Sequence, residues 1–125
     1  MATNSITLES MISAVKAHPN ISKAGMILCH NGIVRGSDRT GGRRVSALKI
    51  VVNRPEIDRV RSWAESQTGI VAVAINALEG EFQVGDDVLY VVVAGDIREH
   101  VFSVMREVVE RIKAEGVSKT EFYID

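Results

Sequence analysis

The segment Val88–Ala94, VLYVVVA, constrains the fold more than any other stretch because it is apolar on both of its faces. Strand side chains alternate between two faces, so such a run needs cover above and below and predicts a central strand. The element after it supplies part of that cover. From Ile97 to Glu115 the residues Ile97, Val101, Val104, Met105, Val108 and Ile112 make one apolar stripe at helical spacing, the pattern of a helix that packs across a sheet. Asp96 and Glu99 have the spacing of a capping box with the aspartate as cap, and Gly116 ends the helix.

The rest of the chain divides into short elements around this pair. Leu8, Met11, Ile12 and Val15 give a short amphipathic helix over Leu8–Ala17, stopped at His18-Pro19 because a residue before proline avoids the helical region. Met26–Leu28 runs apolar to Cys29 and passes Asn31-Gly32 into Ile33, Val34 and Arg35, a strand with a kink or bulge. Gly36–Arg44, GSDRTGGRR, has no apolar residue and reads as a mobile surface loop. Val45–Val52 returns to strand character. Pro55 then sits where the first turn of a helix tolerates it, with Ile57, Val60 and Trp63 at helical spacing and an end near Gly69. Ile70–Ile75 reads as a strand, Val84–Asp87 as a turn, and Glu121–Asp125 as a short final strand. This order predicts one α+β domain over residues 1–125 with a mixed or antiparallel sheet.

Composition limits what such a domain can do. A chain of 125 residues is long enough to bury roughly two thirds of its unfolded surface. Fifteen Lys and Arg stand against sixteen Asp and Glu, so no global field draws in nucleic acid or an anionic membrane, and any anion binding must be local. The single Cys29 excludes an intrachain disulfide and fits a reducing compartment. Residues 1–7 lack a signal-peptide pattern, and no apolar run approaches the ~20 residues that span a bilayer. These features predict a soluble, cytoplasmic protein.

Four basic residues, Arg35, Arg98, Lys113 and Lys119, each follow or end an apolar segment that should enter the core, which makes their convergence on an anion a candidate site. Each also has a plain structural reading. Arg98 falls in the first turn of the long helix, where free N–H groups and the dipole favour an anion, but an arginine there also pairs readily with a carboxylate. Lys113 lies near the dipole's negative end, which favours a cation for structural reasons alone. Lys119 looks like a solvated lysine in a polar segment. Arg35 emerges at a strand end before a glycine. Arg39, Arg43 and Arg44 with Gly41-Gly42 could fold over a phosphate or remain solvated. His18, His30 and His100 make no metal-ligand spacing with each other or with Cys29, so no metal site is expected. Cys29 reads as a small core residue, since neighbouring strand positions face opposite ways and keep it from His30. No nucleophile elbow, P-loop or dinucleotide fingerprint is present, and no bound cofactor is expected.

Together these segments resemble the large, catalytic subunit of molybdopterin synthase, which places two sulfurs on cyclic pyranopterin monophosphate (precursor Z). The residues that carry the resemblance are Gly25–Arg35, like the family's strand ending Gly-x-Val-Arg; the Val45–Ile50 strand; Arg54-Pro55-Glu56, like its Tyr-Pro-Glu helix start; Gly80–Asp86 before a valine-rich strand; and the helix from Arg98 to Lys113. They span Gly25 to Lys119.

The resemblance implies an α/β-hammerhead fold and a homodimer within a heterotetramer. Each large subunit would receive the Gly-Gly C-terminal tail of a small ubiquitin-like subunit that carries a thiocarboxylate. It implies Arg35 and Arg98 as substrate-binding residues and Lys113 and Lys119 as catalytic ones, with Lys119 aligning after deletion of one residue. On this reading Lys113 is the amine whose pKa neighbouring Arg35 and Arg98 lower. Three departures stand out. Ile97 occupies the place of the histidine that precedes Arg98 in the family, and His100 lies one helical turn on. A second His-Arg pair has no counterpart in Asn76–Glu79. The proline and tryptophan before the second lysine are missing, and the chain stops at Asp125, short of the family's usual extension. Two other readings accordingly stay open: a divergent, non-catalytic member that acts as a binding or regulatory protein, and an unrelated α+β ligand-binding module.

Overall fold

The computed structural model describes residues 6–124. In chain order the elements are α1 (Leu8–Lys16), β1 (Met26–Ile33), β2 (Val45–Val52), α2 (Arg54–Glu65), β3 (Ile70–Ala77), β4 (Gly80–Gln83), β5 (Asp87–Gly95), α3 (Arg98–Arg111), one turn of π-helix over Ile112–Gly116, and β6 (Val117–Tyr123). A single 3₁₀ turn, Ile21–Lys23, links α1 to β1.

The strand predicted to be central is central. β5 lies between β1 and β3 in a three-stranded antiparallel sheet, and Val91, Val92, Val93 and Ala94 are fully shielded from solvent. Its two faces go into different cores. Val92 and Ala94 pack with Met11 and Val15 of α1, while Val91 and Val93 join the larger core with α2, α3 and the second sheet. That division explains why the segment has no polar face.

The second sheet, ordered β4-β2-β6, is also antiparallel throughout. β2 alternates as its composition demands, with Val45, Leu48, Ile50 and Val52 buried and facing the larger core. The antiparallel arrangement that was one of the two expected thus holds throughout, with the strands divided between two sheets of three. The added strand is β4. It pairs Gly80–Gln83 with Ala47–Ile50, and four residues of mixed polarity give no periodic signal of their own. β6 begins at Val117, four residues earlier than the segment expected from Glu121. Its polar residues are held by pairing with β2 rather than by local preference.

Helix α2 starts as predicted, with Pro55 in the first turn and the Asn53 side chain accepting a hydrogen bond from the Glu56 N–H; it ends at Glu65, short of Gly69. Helix α3 presents Val101, Val104, Met105 and Val108 to the core, and Ile112 follows them from the π turn. It differs from expectation at its start. The N-cap is Ile97, whose own side chain is 48% exposed, so Ile97 leaves the predicted stripe. The Asp96 carboxylate instead accepts from the Ile97 N–H at 2.7 Å and meets His100 Nδ1 at 2.8 Å. The chain sits tightly here: a Cβ on Gly95 would fall 2.6 Å from Val101 Cγ2 and 2.8 Å from the Gly69 carbonyl oxygen. Glycine at 95 thus lets the start of α3 settle onto the end of β5.

The segment 36–44 is knit together rather than left as a free loop. Asp38 Oδ1 accepts from the N–H groups of Gly41 (2.8 Å) and Arg43 (3.2 Å), the Asp38 N–H donates to the Arg43 carbonyl, and Ser37 bridges to Arg44. Asp38 in the middle of a glycine-containing turn is the residue that makes this possible. Cys29 is likewise corrected. It is exposed, because β1 alternates and carries Cys29, Asn31 and Ile33 on its outer face; partial burial still raises its thiol pKa.

Candidate functional site

β1 shifts register between Gly32 and Ile33 against β5, and this irregularity turns the chain out of the sheet towards Arg35. On the far side of the gap, α3 ends in the π turn that carries Lys113, and β6 runs antiparallel to β2 with Lys119 opposite Ile50. The space between these three elements is a hollow with two parts. An inner chamber of about 110 Å³ is walled by apolar side chains, among them Ile50, Leu89 and Ile112, together with His30, Lys113 and Lys119. An outer mouth of about 310 Å³ adds Arg35, Ser37, Arg39 and Glu121 to the same two lysines.

Of the four basic residues singled out in the sequence, Arg35, Lys113 and Lys119 thus share one hollow. Arg98 does not. It lies fifteen residues before Lys113 along α3 and the turn that continues it, about 22 Å at the rise of an α-helix, beside Asp96 and Phe102. Among the loop arginines, Arg39 reaches the mouth. The Arg43 guanidinium lies over the Tyr123 ring, 3.8 Å from its centroid, and Arg44 lines neither part of the hollow.

The electrostatics of the hollow are one-sided. Among the described residues the ion pairs are Arg59–Glu56, Arg61–Glu65, His100–Asp96 and Arg111–Glu107, none of which belongs to it. Arg35, Arg39, Lys113 and Lys119 therefore face one cavity with no carboxylate in ion-pair contact, and the acid that lines its mouth, Glu121, has a carboxylate oxygen accepting from the Tyr123 hydroxyl. Like charges gathered without partners are costly unless an anion joins them.

The consequence falls on Lys119. Although the residue is exposed overall, its amine loses enough water at the hollow for desolvation to be the main cause of a lowered pKa, with the charges of Lys113 and Arg39 lowering it further and Glu121 opposing them. The charges that lower the Lys119 amine are thus those of Lys113 and Arg39. His30 responds in the same direction: desolvation, then the Lys113 charge, lowers its imidazole pKa.

His30 is the residue that sequence reasoning passed over. On β1 the residues Leu28, His30 and Gly32 share the inner face, and Leu28 packs against the larger core, so a period-2 reading from Leu28 would have turned His30 inward. Lys119 had a similar signal, since Val117, Lys119 and Glu121 alternate on one face of β6 and all three line the hollow. Among the described residues no three of His, Cys, Asp and Glu come together as a metal site, and no helix is long and apolar enough to cross a membrane.

Known proteins share this architecture. Among solved structures, the chain is similar to a molybdopterin biosynthesis MoaE protein from Burkholderia ambifaria MC40-6 (TM-score 0.75, 21% identity, 98% of this chain and 85% of that one). It is also similar to a chain in the complex of subunits 1 and 2 of molybdopterin-converting factor from Helicobacter pylori 26695 (TM-score 0.69, 15% identity, 94% and 80% covered). At these identities the likeness is one of fold. A curated relative, a probable molybdopterin synthase from Haloferax volcanii, is 25% identical over 114 residues, covering 88% of this chain but 44% of the relative; the chain spans less than half the length of that protein. The family model described as MoaE protein matches residues 1–115, which takes in Arg35, Arg98 and Lys113 and stops before Lys119. With nearly the whole chain inside that match, the protein belongs to the MoaE family.

Proposed function

We propose that this chain is the large subunit of a molybdopterin synthase, working in molybdenum cofactor biosynthesis. It would transfer sulfur from the C-terminal thiocarboxylate of a small ubiquitin-like subunit to cyclic pyranopterin monophosphate. The observation that carries this reading is the cluster of Arg35, Arg39, Lys113 and Lys119 around one hollow with no ion-paired carboxylate among the described residues. Such a wall suits a substrate phosphate and a thiocarboxylate, both anions. Membership of the MoaE family and the fold shared with a two-subunit complex support the small-subunit partner. The free Cys29 thiol supports a cytoplasmic setting.

In this reading Arg35 and Arg39 hold the anion by charge-assisted hydrogen bonds. Lys119, with its lowered pKa, exchanges protons during sulfur transfer, and Lys113 supplies fixed positive charge beside it. Arg98, about 22 Å away along the same helix, reaches the ligand only from a second copy of the chain. A homodimer that sets the start of one α3 against the hollow of its partner accommodates all four residues.

The test is conversion of the pterin precursor to molybdopterin with thiocarboxylated small subunit supplied. Turnover that is lost in Lys113→Ala and kept in Lys16→Ala is the expected result. A second reading, a binding protein without catalysis, is favoured by the exposed Ile97 at the start of α3. It predicts tight small-subunit binding with no turnover, which would overturn the first.

A further inference from the structure

The inner chamber contains one group able to accept a proton without first losing one, since each of its two lysines must discard a proton before it acts as a base. His30 is different. Its side chain lines the inner chamber beside Lys113 and Lys119, it is half-buried, and among the described residues neither ring nitrogen has a hydrogen-bond partner, whereas His18 and His100 are both engaged. Gly32 makes room for it. A Cβ on Gly32 would stand 3.4 Å from His30 Nε2, so the missing side chain leaves the face of the ring beside the chamber open.

We propose that His30 is a further catalytic residue of this site, the proton acceptor for the water that releases the spent small subunit. The role rests on the sulfur-transfer reading above. After the thiocarboxylate sulfur has bonded to the pterin carbon, the small subunit is held through an acyl–sulfur bond. Water then attacks the acyl carbon: its oxygen forms the new C–O bond, the C–S bond breaks, and the sulfur stays on the pterin as a thiolate. One water proton passes to the imidazole, and the second leaves the new carboxylic acid for bulk water. The products are a small-subunit carboxylate, a pterin thiolate, an imidazolium and a hydronium ion, with no oxidant or reductant required.

The surroundings keep His30 ready for this. Its charged neighbours in the hollow are the cations Lys113 and Lys119. β5 sets Val91 beside it in the sheet, α3 turns Val101, Val104, Met105 and Val108 to the core, and Asp87 is bonded to Asn31 on the opposite face of β1. Burial and the Lys113 charge hold its pKa below the ordinary 6.5, so the ring is neutral at pH 7.

The assay uses the chain with thiocarboxylated small subunit and pterin precursor. His30→Asn should lower kcat about 100-fold with KM within about twofold, and the acid limb of the kcat–pH profile, lying below 6.5 in the wild type, should disappear. His18→Asn should match the wild type. An unchanged kcat in His30→Asn, or a uniform loss with the acid limb retained, overturns the role of His30 alone. A wild-type protein that does not turn over overturns the sulfur-transfer reading and the role with it. Independently of activity, inorganic phosphate should raise the midpoint at which the His30 ring proton titrates by NMR; a ring that ignores phosphate contradicts its place in the anion site.

Discussion

The two ends of α3 make opposite use of polar groups. At its start, Asp96 meets the Ile97 N–H and His100, so local charge is matched within the helix, and Gly95 is crowded against Val101 and Gly69. At its far end, Lys113 joins Lys119, Arg35 and Arg39 around a cavity with no ion-paired carboxylate among the described residues. At one end an acid is matched by its own neighbours; at the other, cations share a cavity without an ion-paired acid among the described residues. The lesson is that basic residues mark a candidate site when several gather on one cavity without an ion-paired acid, as Lys113 does with Lys119, Arg35 and Arg39 and as Arg98 on the same helix does not.

The largest effect should come from separating the two ends genetically. Lys113→Ala and Arg98→Ala should each lower sulfur transfer by about 100-fold or more as homodimers. Mixing and reassembling them should restore about a quarter of wild-type activity, because half of the dimers then carry one intact composite site. No recovery on mixing would mean that Arg98 acts within its own chain or not at all.

Next in size is a purely structural effect at the start of the helix. Gly95→Ala should cost about 2 kcal/mol in denaturant unfolding, since the new methyl has nowhere to go, while the folded protein keeps its affinity for phosphate. A matching loss of phosphate affinity would break the division of labour between the ends.

The smallest effect is on pH dependence. His30 has a folded pKa below its unfolded value near 6.5, so the unfolded chain takes up more protons as the pH falls. Stability should be full above about 6.5, decline as pH drops through the folded value, and lose this part of its pH dependence in His30→Asn. Equal slopes in the two proteins would place the ring in ordinary solvent.

Much of this contrast was readable in the residues. The VLYVVVA run, the Val101–Ile112 stripe and Pro55 carry strong, redundant signals, and each takes its predicted place. Arg35 was identifiable because a largely apolar strand and the buried Val34 end just before it. What could not be read locally is set by pairing: β4 exists because β2 needs a neighbour, and Lys119 joins the hollow because β6 aligns it with Ile50. Asp96 misled through spacing alone, as the cap fell one residue later, at Ile97, where the backbone first extends. The Lys113 to Arg98 separation was implicit in helix geometry; one chain cannot bring both to one ligand, and the resemblance to a dimeric family left room for that.

The most direct measurement of the central claim is a titration of the intact protein with inorganic phosphate followed by backbone amide shifts. Changes centred on Gly32–Arg39 and on Lys113–Lys119, and abolished by Arg35→Ala, are predicted. Changes confined to Ile97–Phe102, or none in either region at concentrations that shift a free helix N-terminus, would contradict it.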